Sequence, residues 1–470
     1  MNRAGDLCIV LHSHMPYVEG FGTYPFGEEW LFDAVVRSHV PVLEVADRVT
    51  VTVTPVLIDQ LEAEGVAARL THFVREFRVG SCEADARELT RAAEREAAVA
   101  EAARYRRAVE RIESLDGDLP ALYREPAASG RIELVPSAAT HPVLPLLATT
   151  AWRRLQIETG LRSHARRFGA SRGFWLPECA YEPGLDGLLA ELEVDWFCVD
   201  QSAHEAALAA LTPIASPAGP MALPIDWEAV SWLWSLEGYP SDPGHLDFHR
   251  ESLRGARPWS IACEPYDPLA AAEVARAQAA AFVDAVAARL AGHREQHGRP
   301  GLLTFAIDTE LLGHWWWEGP TWLAEVQRLA PDRGVELLTA SQAAGRHEPE
   351  SRPLRRSSWG EGKDLRTWDS PAVADMAWAA RRLELRLLRA LRVGWLAPAA
   401  AERAARELLA LQASDWAFLD SRKQAGDYPW QRSTGHAYAL LEAIHSAVAP
   451  EPRVRNLAPD LDLTPLAHRS

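Results

Sequence analysis

Lysine is nearly missing from this chain. Of 49 basic side chains only two, Lys363 and Lys423, are lysine, and the rest are arginine. Alanine is abundant throughout, so this reads as a composition bias and not as an arginine-rich binding site. Basic residues are also outnumbered, 49 against 65 acidic ones, for a net charge of −16. Such a surface repels phosphate backbones and anionic lipid, which argues against nucleic acid and membrane partners. Cysteine is scarce: five residues, Cys8, Cys82, Cys179, Cys198 and Cys263, scattered and odd in number. They show no CxxC or other zinc spacing, and a reducing, cytoplasmic setting is the simplest expectation. No run of about 18 apolar residues exists, so no membrane span is expected. The apolar stretch near Met1 is too short for a secretory signal. Internal repeats and low-complexity blocks are absent too. At 48% hydrophobic and 24% charged residues, the chain is neither disordered nor fibrous. Its 470 residues suit two to four domains, or one large barrel with an accessory domain.

What the chain does have is a series of short apolar, β-branched runs separated by helical stretches. They begin at Leu7, Val49, Ile132, Gly173, Trp196, Val230 and Leu302. Each is short enough to be a buried strand, and strand–helix alternation points to a parallel sheet, open or closed. Residues 86–113 are rich in Ala, Arg and Glu. They predict one long helix or a helix pair within a helical insertion over about 58–126. Helical periodicity returns after Pro371, behind a polar stretch at 346–356. This divides the chain into a catalytic barrel at 1–350 and a C-terminal helical domain at 351–470, with an irregular tail from Pro450.

Polar residues gather where these runs end. The first ends in His12-Ser13-His14, the Ile132 run in Ser137-Ala138-Ala139-Thr140-His141, and the Gly173 run in Pro177-Glu178. The Trp196 run ends in Asp200, and the Leu302 run in Asp308-Thr309-Glu310, followed by His314 and three tryptophans. In α/β barrels catalytic groups sit at that end of the strands. Taken alone, Glu178 is an ordinary acid at a helix start, and Asp308 an ordinary helix cap. Together, each ending a buried run near tryptophan, they suggest a carboxylate pair across a pocket. Retaining glycosyl transfer uses such a pair about 5 to 5.5 Å apart, one group as nucleophile and the other as acid and base. The 18 tryptophans, against 9 tyrosines and 12 phenylalanines, fit this, since sugar C–H faces pack on π-rich surfaces. A rival reading takes His12, His14, His141, Asp308 and His314 as metal ligands of a hydrolase. The bland reading makes the histidines structural.

The motifs HSHMPYV (12–18), SAATHPV (137–143), GFWLPECAY (173–181), DTELLGHWWWEG (308–319), SSWGEGKDLRTW (357–368) and ASDWAFL (413–419) resemble glycoside hydrolase family 57. The resemblance is closest to its α-1,4-glucan branching enzymes and runs in order over nearly the whole chain. It implies a (β/α)7 barrel with a helical insertion and a C-terminal helical domain. It also implies a retaining mechanism on an α-1,4-glucan or maltooligosaccharide, with no metal and no cofactor. Glu178 falls on the family nucleophile and Asp308 on the general acid/base. His12 and His141 fall on active-site histidines, with His14 beside them. Trp359, Trp368 and Trp416 match aromatic cleft positions, and Trp175, Trp234 and His314 are further substrate-binding candidates. One departure stands out. Family branching enzymes carry a tyrosine-tipped loop where this chain has residues 201–224, which contain neither tyrosine nor any other aromatic residue. That leaves an α-1,4-glucan hydrolase as the alternative, and a glucan-binding protein without turnover as a more distant one. Oligomeric state is not written in these motifs.

Overall fold

Strand β1 (Gly5–Ser13) is buried along its whole length and forms the hub of the molecule. Six more strands join it in a ring: β2 (Val49–Val53), β3 (Ile132–Pro136), β4 (Gly173–Phe174), β5 (Trp196–Asp200), β6 (Met221–Ile225) and β7 (Gly301–Asp308). This computed structural model describes residues 3–22, 26–203, 211–445 and 455–467. All neighbours in the ring are parallel: β3 on β2, β2 on β1, β1 on β7, and β6 between β7 and β5, with β4 on β5. The ring closes between β3 and β4 through the bridge of Ser137 to Trp175, whose amide donates to Pro136 O at 2.9 Å. Since β6 meets β7 in the register Ile225 to Thr304 alone, the result is a nearly closed seven-stranded parallel barrel. A further strand, Val335–Leu338, pairs with the first half of β1.

Six of the seven expected strands lie where the apolar runs placed them. The run at Val230–Leu233 does not: it belongs to the helix Trp227–Trp234. Asp226 caps that helix, its carboxylate accepting from the Ala229 amide at 2.9 Å. The true strand is the preceding β6, Met221-Ala222-Leu223-Pro224-Ile225. Short apolar runs carry no period that separates strand from buried helix, and the internal proline disguised the strand. Gly173 in β4 is required by contact: a Cβ there would lie 2.2 Å from the Trp196 ring on the neighbouring strand.

Between β2 and β3 the chain runs through helices from Pro55 to Ala128. The expected helix pair is Gly80–Glu88 followed by Ala92–Glu113. After the barrel come Ala374–Val393, Pro398–Leu411, Asp415–Ser421 and Tyr428–His445. The first two and the last converge with Trp152 and Leu155 of the barrel helix Thr150–Phe168 in a shared core that includes Leu387, Leu408, Leu409 and Leu440, whereas Asp415–Ser421 packs in a separate cluster through Trp416 and Ala417. Of the tail expected to be irregular, residues 450–454 lie outside the described residues, and Thr464–Ala467 is a short helix. No helix among the described residues is long and apolar enough to cross a membrane.

Candidate active site

Register brings the first groups together. His12 on β1 lies opposite Thr52 on β2 and opposite Asp308 on β7. Period-two alternation then puts His14 on the same face as His12. The His12 Nδ1 meets Thr52 Oγ1 at 2.6 Å, and His14 Nδ1 meets Thr54 Oγ1 at 3.0 Å. His141, after β3, stacks on His14 at 4.2 Å and on His12 at 4.9 Å. Trp175, after β4, stacks on the other side of His12 at 4.7 Å, and Trp359 meets Trp175 edge-on at 5.1 Å. The three imidazoles thus form a triangle of near-parallel rings, His12 and His14 lying 6.0 Å apart, with their Nδ1 atoms held by hydroxyls. Among the described residues no group of three or more His, Cys, Asp or Glu is arranged to hold a metal ion.

Glu178 sits in a single turn, Pro177–Cys179, just past β4. Its backbone is left-handed, with φ 60°, as are Cys179 at 48° and His141 at 55°. Such conformations cost non-glycine residues roughly 1 kcal/mol or more each, and they persist where surrounding structure over-determines them. Here the over-determination is explicit. Trp359 Nε1 donates to Glu178 Oε2 at 2.9 Å and Ser414 Oγ donates to Oε1 at 2.7 Å. The Trp359 amide also donates to Glu178 O at 3.0 Å, and the Ser414 amide to His141 O at 3.1 Å.

That network fixes one tautomer. The single Ser414 hydroxyl proton goes to Glu178, so at 3.0 Å from His141 Nδ1 the hydroxyl oxygen must accept a proton held there. His141 Nε2 is therefore a bare acceptor, buried and without a partner among the described residues, and His12 Nε2 is likewise buried without one there. Burial and the neighbouring imidazoles push the pKa of both rings well below the ordinary histidine value. His14 goes the other way. Burial opposes its charge, but Asp415 Oδ1 at 2.9 Å from Nε2, with Glu178 and Glu310 nearby, raises its pKa.

The two carboxyls are ordered by their surroundings. Burial, followed by the charges of Glu310 and Glu178, pushes Asp308 up to about 8. Burial also raises Glu178, but the hydrogen bonds from Ser414 and Trp359 oppose that rise. Glu178 therefore gives up its proton first and Asp308 holds its own at neutral pH.

Several expected residues lie elsewhere. Trp368 and Trp416 are 2% and 1% exposed and pack with Val143, Leu146, Ala180 and Met376 in the seam between barrel loops and C-terminal helices. Both rings also border a small cavity at that seam, together with Ser414. Trp234 ends its helix 52% exposed. His314 packs against Phe248 at 5.2 Å and Trp315 at 5.0 Å, and burial together with Arg37 lowers its pKa to about 3. Of the tyrosine-free stretch 201–224, residues 204–210 lie outside the described residues. Residues that sequence reasoning did not single out include Thr52, Thr54, Ser414, Asp415 and Glu310. Glu310 accepts from the His14 amide at 3.2 Å and lies 2.7 Å from His39 Nε2. Ser414 and Asp415 were within reach, because they stand in the ASDWAFL motif immediately before Trp416.

Comparison with known proteins places the chain in a family. The family model for glycosyl hydrolase family 57 matches residues 8–354. The model for the C-terminal region of 1,4-alpha-glucan branching enzymes matches residues 377–458. The probable 1,4-alpha-glucan branching enzyme Rv3031 of Mycobacterium tuberculosis is 32% identical over 95% of this chain and 93% of its own. The 1,4-alpha-glucan branching enzyme TK1436 of Thermococcus kodakarensis is 32% identical over 92% of this chain and 72% of its own. The crystal structure of a branching enzyme of the same type from Pyrococcus horikoshii superimposes with a TM-score of 0.93 at 28% identity, covering 99% of this chain and 97% of that one.

Proposed function

The chain belongs to glycosyl hydrolase family 57, and from that premise we propose that it is a retaining α-glucan enzyme that makes branches. It cleaves α-1,4 links and rejoins the freed chain through α-1,6 links. The observation that carries this reading is the unequal carboxyl pair: a Glu178 held by two donors and an Asp308 that keeps its proton up to about pH 8.

The chemistry follows from those states. Ionised Glu178 attacks the anomeric carbon, and the bond to the leaving glycosidic oxygen breaks as Asp308 delivers its proton to that oxygen. A glycosyl ester on Glu178 results. The 6-hydroxyl of an acceptor glucan then attacks the same carbon while ionised Asp308 takes its proton, and the carboxylate of Glu178 departs. The unpartnered Nε2 atoms of His12 and His141 suit sugar hydroxyls, which can both donate and accept hydrogen bonds. Trp175 and Trp359 supply an apolar wall beside them.

Hydrolysis is the second reading, favoured by the lack of any aromatic residue in 201–224. Water then replaces the 6-hydroxyl in the second step. Proton NMR of amylose incubated with the protein separates the two, with Glu178→Gln as control. Branching gives growing α-1,6 anomeric signal without matching reducing ends. Reducing ends without α-1,6 signal make the protein a hydrolase.

A further inference from the structure

One of the two lysines of this chain stands next to the candidate site. Lys363 lies in the turn that carries Trp359, and its backbone is in the left-handed region, φ 58°, which favours glycine. Its ammonium is 3.3 Å from Asp200 Oδ2, 2.8 Å from the centroid of the Trp227 ring, and 3.4 Å from Trp359 O. Asp200 is fully buried at the end of β5. It also accepts from Trp227 Nε1 and, at 2.8 Å, from the Ser202 amide. The turn is closed on itself: the Lys363 amide donates to Gly360 O and the Ser358 amide to Lys363 O, each at 3.1 Å. A continuous series of contacts therefore runs from the end of β5, through Asp200 and Lys363, to Trp359 and the Glu178 carboxylate.

We propose that Lys363 is a positioning residue: clamped between Asp200 and the face of Trp227, its ammonium fixes the turn that presents the Trp359 indole to Glu178. A buried carboxylate attracts a cation, and the π face of Trp227 adds to the hold. A turn residue needed only for its backbone would be better as glycine here. This inference rests on Glu178 being the nucleophile. Charged and titratable groups facing Glu178 are His141, His14, Asp415 and Asp308, and those facing Lys363 are Asp200 and Cys179. The Lys363 variants leave all of these side chains in place and, Lys363→Arg apart, remove a charge that acts on Asp200 and Cys179.

The test is the pH profile of kcat and kcat/KM on amylose for Lys363→Met, Lys363→Gly and Lys363→Arg, with Asp200→Asn as a variant that leaves the lysine in place. A loosened indole stabilises ionised Glu178 less, so the acid limb moves upward. The expected shift is about 0.5 pH unit in Lys363→Met, Lys363→Gly and Asp200→Asn. The same variants lose about ten-fold in kcat, with KM within about two-fold, and Lys363→Arg recovers most of the loss. Folded Lys363→Gly with an unmoved limb and normal kcat overturns the proposal, as does Trp359→Phe with an unmoved limb. Turnover retained by Glu178→Gln instead removes the nucleophile reading on which it stands.

Discussion

The barrel and the C-terminal region meet at the candidate site and bring different things to it. From the barrel come the groups that would react or touch sugar: Glu178 after β4, Asp308 at the end of β7, and His12 and His141 on neighbouring strand ends. Trp359, Ser414 and Asp415 come from beyond the barrel: the first two donate to Glu178, and Asp415 holds His14 beside the other histidines. The difference shows most clearly in the two carboxyls. Glu178 receives two donors from the C-terminal side. Burial and neighbouring carboxylates act on Asp308, and no donor to its carboxyl is found among the described residues. Rigid strands set where the pair stands and burial raises both members, while the docked C-terminal segment supplies the hydrogen bonds that oppose the rise at Glu178.

Removing the barrel's own groups breaks this comparison most severely. Glu178→Gln is expected to lower kcat by at least about 10³-fold with the circular dichroism spectrum unchanged. Removing a donor from the other side costs less. Ser414→Ala removes one hydrogen bond to a charged group, roughly 1.5–3 kcal/mol, or about 10- to 100-fold in kcat. It also raises the Glu178 pKa, so the acid limb of the rate profile moves up while the alkaline limb, set by Asp308 near 8, stays. A profile that only drops in height would assign Ser414 to packing alone.

Two variants read by stability sharpen the division. Trp416→Ala should destabilise by about 3–5 kcal/mol, read by denaturant unfolding, because that ring fills the seam and donates to Ala410 O at 2.8 Å. Asp308→Asn should lose activity yet gain stability in alkali. The folded-state pKa of about 8 lies above the ordinary 3.8, so the stabilisation from holding the proton is full below 3.8 and lost as pH rises through 8. The wild type therefore loses stability against the asparagine variant as pH rises from about 4 to about 8, the gap levels off above 8, and at pH 9 its melting temperature should lie below the variant's by on the order of 5 °C. Equal melting temperatures at pH 9 would mean that Asp308 is solvated.

Much of this was legible in the chain. Strand-end residues stood out because buried apolar runs are followed at once by His, Glu or Asp, and six of the seven strands lie where those runs placed them. The seventh was misplaced because Met221–Ile225 hides a proline, whereas the neighbouring helix Trp227–Trp234 is more apolar than many strands. Tryptophans were harder. Trp359 and Trp416 look alike in sequence, but one donates to Glu178 and the other is buried in a seam between elements far apart in the chain. Ser414 was overlooked for the same reason, being 236 residues from the carboxylate it binds. Nothing local in a serine on a helical segment reports a partner that distant.

The most direct test of the account is to catch the glycosyl group on Glu178. Asp308→Asn removes the base that activates the acceptor, and an α-maltosyl fluoride carries a leaving group that needs no proton. Incubated together and analysed by peptide mass spectrometry, they should give a maltosyl increment on the peptide that contains Glu178. An adduct on another residue, or steady release of fluoride with no adduct while Glu178→Gln does the same, would contradict the assignment of nucleophile and acid made here.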